Sequence, residues 1–147
     1  MKIALFPGSF DPFTIGHYDI VTRGLSLFDK VIVAIGRNCD KHGMCPVSER
    51  EEAIRRIFAA EPRVEVCVYD TLTADFAHRV GAQFLLRGVR SVQDFEYERS
   101  MAEANRQIGD IETVLLYPRP EYAHVSSSLV RDLISYGHDV SAYMVND

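Results

Sequence analysis

Ile3-Ala4-Leu5-Phe6-Pro7-Gly8-Ser9-Phe10-Asp11-Pro12-Phe13-Thr14-Ile15-Gly16-His17 is the stretch whose reading decides the fold. An apolar strand over 2–6 breaks at a Pro-Gly turn and enters a helix beside a Thr-x-Gly-His sequence. Glycine lets backbone approach a ligand closely, hydroxyls donate hydrogen bonds, and a helix start presents unpaired N–H groups and a positive dipole end to an anion. The corner therefore reads as a phosphate site, and the chemistry as nucleotide chemistry.

Working outward, runs rich in Val, Ile and Leu recur at 30–36, 63–69, 82–87 and 112–117, with the little alternation expected of strands buried on both faces. Helical patterns separate them. Residues 16–28 place Ile20, Val21, Gly24, Leu25 and Phe28 at helical spacing. Ser48 with Glu51, after Pro46, gives a capping-box signal for a helix running to Ala60. Further helices are predicted over 71–80, 94–108 and 126–136. Strands alternating with helices across short connections imply a doubly wound α/β domain: a five-stranded parallel sheet in three α/β/α layers. No repeat, low-complexity tract or linker divides the chain, so 1–147 reads as a single domain. The polar loop from Gly36 to Pro46 is a candidate lid.

Composition bounds the partners. Hydrophobic residues make up 47% and charged residues 25%, no apolar run approaches the ~20 residues that cross a bilayer, and the N-terminal apolar run is too short for a signal peptide. A cytoplasmic protein without a membrane role is expected. A net charge of -5 argues against an extended basic face for nucleic acid, which leaves a small anion in a local cationic pocket. Cys39, Cys45 and Cys67 are few and odd in number, as in a reducing compartment. Cys39, His42 and Cys45 do not have a standard zinc spacing, and no metal ligands are assigned to the protein.

On such sheets ligands sit beyond the carboxyl ends of the strands, near the switch in strand order. That places Gly8, Ser9 and His17 after the first strand, Arg37 and Lys41 after the second, Arg87, Gly88 and Arg90 after the fourth, and Ser126-Ser127-Ser128 after the fifth. His17, near a helix start, is disfavoured as an imidazolium and suited to donate a hydrogen bond to a phosphate oxygen; the bland alternative is a packed or capping histidine. Arg87-Gly88-Val89-Arg90 supplies two guanidinium groups around exposed backbone, against the alternative of a solvated pair. Acids in the Asp94 to Glu98 run are ordinarily dipole or capping partners. Three serines at a helix start can gather around a terminal phosphate, although one alone would be an N-cap. The dinucleotide fingerprint G-x-G-x-x-G and the P-loop pattern are both absent after the first strand.

Gly8 through His17 resembles the nucleotidyltransferase superfamily signature. Pro7-Gly8-Ser9-Phe10-Asp11-Pro12, Thr14-x-Gly16-His17, Arg87-Gly88-Val89-Arg90, Asp94-Phe95-Glu96-Tyr97-Glu98 and Ser126-Ser127-Ser128-Leu129-Val130 together resemble the bacterial phosphopantetheine adenylyltransferases, from Ala4 to about Asp139. The resemblance implies a Rossmann-like nucleotidyltransferase fold and transfer of the adenylyl group of ATP to 4′-phosphopantetheine, giving dephospho-coenzyme A and pyrophosphate in the penultimate step of coenzyme A synthesis. It implies His17, Lys41 and Arg90 as catalytic groups, and Ser9, Lys41, Thr73 and Arg87 as acceptor contacts. ATP contacts are implied at Ser9, Phe10, His17, Gly88, Val89, Arg90, Glu98, Tyr122, Ala123, His124, Val125, Ser126, Ser127 and Ser128. Magnesium held mainly by the ATP phosphates, dephospho-coenzyme A or coenzyme A as product or feedback ligand, and a homohexamer are further implications. Two other readings stay open at this stage: another small nucleotidyltransferase, such as a cytidylyltransferase, and a nucleotide-binding sensor without turnover.

Overall fold

The computed structural model describes residues 1–37 and 43–146. Five strands, β1 (Ile3–Gly8), β2 (Lys30–Gly36), β3 (Val64–Tyr69), β4 (Phe84–Gly88) and β5 (Glu112–Leu116), form one sheet in the order β3-β2-β1-β4-β5. Every neighbouring pair is parallel. The chain steps from β1 through β2 to β3, then returns to the other side of β1 for β4 and β5, so the order reverses between β1 and β4. Five helices accompany the strands: α1 (Ile15–Gly24), α2 (Val47–Ile57), α3 (Thr73–Arg79), α4 (Val92–Gly109) and α5 (Ser127–Ser135).

The period of two along the strands sorts their side chains onto two cores. Ala4, Phe6, Val31, Val33, Ile35 and Leu86 join Ile20 and Val21 of α1 and Ile54 of α2. Leu5, Ile32, Ala34 and Leu85 join Ala74, Phe76 and Ala77 of α3 on the opposite face. The three-layer architecture follows from that split.

Several boundaries differ from the sequence-based expectation. β1 does not end at Phe6: Pro7 and Gly8 continue it, opposite Ala34 and Ile35 of β2. Pairing of β1 with β4 involves only Ala4 and Leu5, so the N–H that Pro7 lacks is missing where β4 has already parted from β1. Ser48 does not cap α2. The helix starts two residues earlier, at Val47 and not Glu49, after an extended Pro46 whose carbonyl accepts the Glu49 and Arg50 amides, and Ser48 lies exposed within its first turn. α1 stops at Gly24, although Leu25 and Phe28 beyond it remain buried. α4 begins at Val92, because Ser91 accepts the Asp94 amide at 3.1 Å and serves as its N-cap.

Candidate active site

The switch between β1 and β4 opens into two adjoining chambers. One, of about 400 Å³, is lined by Phe10, Thr14 and His17 after β1, Gly88 to Arg90 after β4, and Tyr122, Val125 and Ser126 to Ser128 before and within α5. The other, of about 450 Å³, takes in Asp11, Gly36, Arg50, Tyr69, Thr73, Met101, Asn105 and Thr113. Pro7, Gly8, Ser9, Arg87, Tyr97, Glu98 and Arg131 line both, and form the wall where they meet.

His17 is the third residue of α1, and its ring closes the cap of its own helix. Thr14 Oγ1 accepts the His17 amide at 3.3 Å, while the Thr14 N–H donates to His17 Nδ1 at 2.9 Å. A backbone N–H has a proton to give and none to take, so Nδ1 is an acceptor and the ring proton sits on Nε2. Burial, followed by the positive charges of Arg87 and Arg90, pushes His17 down to about 3. A neutral imidazole with Nε2–H as its remaining donor therefore stands in the first chamber at any ordinary pH. Packing and capping, the bland alternatives for this histidine, are both realised, and the same bonds orient its donor: the ring sits edge-on to Phe10 at 5.0 Å and tilted against Phe13 at 5.3 Å.

The end of β1 and the turn after it are held by their carbonyls. Pro7 O accepts from Arg87 Nη1, Ser9 O from Arg50 Nη1 at 2.6 Å, Asp11 O from Arg131 Nη1 at 2.8 Å and Pro12 O from the Ser127 hydroxyl at 2.8 Å. Across a trans peptide the next N–H points the opposite way, so fixing the Pro7 and Ser9 carbonyls also fixes where the Gly8 and Phe10 N–H groups aim. Phe10 adopts a positive φ of 50°, costly for an aromatic residue, and is 3% exposed. Its ring lies 2.9 to 3.2 Å from where a Cβ on Gly8 would stand, which is why only glycine fits there.

Arg87 grips Glu98 in a bidentate pair, Nε to Oε1 at 2.9 Å and Nη2 to Oε2 at 2.8 Å. Glu98, 7% exposed, thereby has its charge matched. Arg90 takes Asp94 Oδ2 at 3.2 Å and Val125 O at 3.3 Å, joining β4 to the segment before α5. Of the three serines, Ser126 is the N-cap of α5 through the Leu129 amide at 3.1 Å, Ser127 is tied to Pro12, and the Ser128 hydroxyl meets Arg131 Nη2 at 3.3 Å. Thr73 opens onto the second chamber and bonds the Tyr69 hydroxyl at 2.9 Å. Thr113 Oγ1, buried and without a hydrogen-bond partner among the described residues, lines the same chamber.

Among the expected site residues, the structure thus gathers Ser9, Phe10, His17, Arg87, Gly88, Val89, Arg90, Glu98, Tyr122, Val125 and Ser126 to Ser128 around the first chamber, and places Thr73 on the second. Ala123 and His124 are not part of either lining; His124 is exposed and meets Tyr143 edge-on at 5.8 Å. Lys41, Cys39 and His42 lie outside the described residues. Sequence reasoning passed over Arg50, Asp11 and Asp19. Asp19, 5% exposed, binds Arg23 at 3.0 Å and Arg119 at 2.9 Å and so ties α1 to the segment that leads to Tyr122. A charged residue on the inner side of an apolar helix was the available signal.

The cytidylyltransferase-like family model matches residues 5–133. Phosphopantetheine adenylyltransferase of Bacteroides thetaiotaomicron is 49% identical over 144 residues, 98% of this chain and 95% of that protein. That of Cytophaga hutchinsonii is 51% identical over 144 residues, 97% and 96% of the two chains. Among solved structures, a putative nicotinate-nucleotide adenylyltransferase from Vibrio parahaemolyticus superposes with a TM-score of 0.72 at 18% identity, covering 99% of this chain and 88% of the other, a likeness of fold. The chain belongs to the phosphopantetheine adenylyltransferases, within the cytidylyltransferase-like family of nucleotidyltransferases.

Proposed function

We propose that this protein transfers the adenylyl group of ATP to 4′-phosphopantetheine. The observation that carries the reading is the pair of chambers meeting at Ser9, Arg87, Glu98 and Arg131, with a neutral Nε2–H donor on one side of that wall. Such a site holds two phosphorylated molecules with their phosphates against each other. The first chamber suits the nucleotide and the second the pantetheine arm, with Thr73 and Thr113 lining the latter.

In the reaction an oxygen of the acceptor phosphate attacks the α-phosphorus, the bond from that phosphorus to the bridging oxygen breaks, and pyrophosphate leaves with the bonding pair. The attacking oxygen is already anionic, so no general base is needed. What this chain supplies is alignment and a donor for spreading negative charge. His17 Nε2–H is that donor. Arg87, already fixed by Glu98 and Pro7, presents the guanidinium N–H groups left over from those bonds to the acceptor phosphate without a search through rotamers. Arg90 and the start of α5 flank the nucleotide phosphates.

Magnesium is proposed to arrive with the nucleotide. Asp94 and Glu98 are engaged by arginines, which fits an ion carried by phosphate oxygens and water. Bound there, it would neutralise the departing pyrophosphate. Coenzyme A as a competing ligand of the second chamber, a homohexameric assembly and a cytoplasmic setting belong to the same proposal. Exposed Tyr97, Met101 and Ile108, which fall on one face of α4, support self-association, and no helix among the described residues is long and apolar enough to cross a membrane.

The test is direct: purified protein with ATP, 4′-phosphopantetheine and magnesium should yield dephospho-coenzyme A and pyrophosphate in equal amounts. Preference for CTP, or nucleotide binding with no pyrophosphate released, would replace the reading with one of its two rivals.

A further inference from the structure

We propose that Arg50 is a positioning residue for the transfer step, resting on the adenylyl-transfer reading above. Arg50 lies on the inner side of α2, only 9% exposed, although it is a type of residue seldom buried. Its guanidinium spans two backbone carbonyls 36 residues apart in sequence: Nη1 donates to Ser9 O at 2.6 Å and Nε to Cys45 O at 2.9 Å. Asp11, 5% exposed, adds the reciprocal contact by accepting the Met44 and Cys45 amides at 2.5 and 3.0 Å. Gly43 sits between the two, where a Cβ would stand 3.1 Å from Arg50 Nη2 and 3.2 Å from Asp11 Oδ2. The turn after β1 and the entry to α2 are thereby clamped into one unit.

The clamp acts on the peptide that joins Ser9 to Phe10. Turning the Ser9 carbonyl toward α2 aims the Phe10 N–H the other way and holds Phe10 at its positive φ. Phe10 then packs edge-on against the His17 ring. Arg50 lines the second chamber and not the one that contains His17, on which it acts through Phe10. A lysine would keep the charge but could not fork across two carbonyls.

The experiment measures the single-turnover rate of dephospho-coenzyme A formation and both Michaelis constants for wild type, Arg50→Lys, Gly43→Ala and the exposed control Arg56→Lys, each checked for its melting temperature. Arg50→Lys should slow the single-turnover rate by about tenfold to a hundredfold, the scale of a small misplacement of reacting groups. The ATP Michaelis constant should stay within about threefold, because neither Arg50 nor Gly43 lines the nucleotide chamber. Gly43→Ala, which keeps Arg50 but crowds it, should slow the same step to a lesser degree, and it decides the matter if Arg50→Lys does not fold. Arg56→Lys should match wild type. Folded variants that turn over at the wild-type rate, or that raise the Michaelis constants while the single-turnover rate holds, overturn the inference alone. Wild-type protein that forms no dephospho-coenzyme A overturns the adenylyl-transfer reading and this inference with it.

Discussion

The N-termini of α1 and α5 face the same chamber and are capped by the same bond, a hydroxyl accepting the amide of the third helical residue: Thr14 for His17 in α1, Ser126 for Leu129 in α5. They differ in what that third residue returns. His17 gives back an acceptor nitrogen to the Thr14 N–H, whereas Leu129 has nothing to give. At α1 the cap therefore sets the tautomer of a ring and leaves a directed donor; at α5 it occupies a hydroxyl and leaves the neighbouring serines to tie the site together. Two helix starts with equal dipole character thus differ in what they present to the chamber, one a directed ring donor and the other backbone amides beside hydroxyls that are already engaged.

The largest effect should come from removing the ring that makes the two ends unequal. His17→Ala is expected to lower turnover by roughly 10²–10³-fold at saturating substrates, the usual loss for one transition-state donor. Near-normal turnover with weakened ATP binding would instead make His17 a ground-state contact, and the two helix starts would be alike after all. The same ring marks stability. Its folded value, about 3, lies below its ordinary 6.5, so the unfolded chain takes up the proton first as pH falls. Stability of wild type relative to His17→Gln is expected to be full above about 6.5 and to decline as pH drops through the window toward 3. A pH-independent difference between the two urea-unfolding curves would show that the ring is not held neutral.

Glu98 should show the next largest effect, and it probes the wall behind both helix starts. Buried under Arg87 and bonded to it twice, it loses its charge in Glu98→Gln while keeping its shape. A loss of about 1.5–3 kcal/mol is expected in urea unfolding, the range for hydrogen bonds to charged groups. The Michaelis constant for 4′-phosphopantetheine should rise with it, since Arg87 is then held by Pro7 and a single amide oxygen in place of the bidentate carboxylate. Unchanged stability would place the pair among surface ion pairs that contribute little.

How much of this was legible in the sequence depends on the distance over which each feature is encoded. The strand cores and the β1 to α1 corner are local, carried by runs such as Val31 to Ile35 and by the Thr14-x-Gly16-His17 order, and they stand where expected. The Ser91-x-x-Asp94 cap of α4 was equally local, although the acids drew attention first. Ser48 misled because a hydroxyl followed by Glu51 has the right spacing whether or not the chain has already turned helical at Val47 after Pro46. Arg50 could not be read at all: its partners Ser9 and Cys45 are chosen by how the sheet brings β1 and α2 together, and α2 carries basic residues on its outer side too. Glu98 shows the same limit, since a carboxylate in an early helical turn gives no sign that an arginine one strand back will reach it.

The smallest effect should separate the serines of α5, where the sequence offered three equivalent hydroxyls. Ser126→Ala removes the cap and should cost about 1 kcal/mol of stability, with the ATP Michaelis constant little moved because the Ser127 and Ser128 amides still open the helix toward the chamber. Ser128→Ala should do the reverse. Its hydroxyl is exposed, caps nothing and touches Arg131 at a long 3.3 Å, so its removal should leave melting unchanged and raise the ATP Michaelis constant. If Ser126→Ala instead moved the Michaelis constant without moving the melt, the capping bond would be giving way to nucleotide when ATP binds. α5 would then resemble α1 in coupling its own cap to the ligand, and the difference between the two helix starts would hold only for the empty protein.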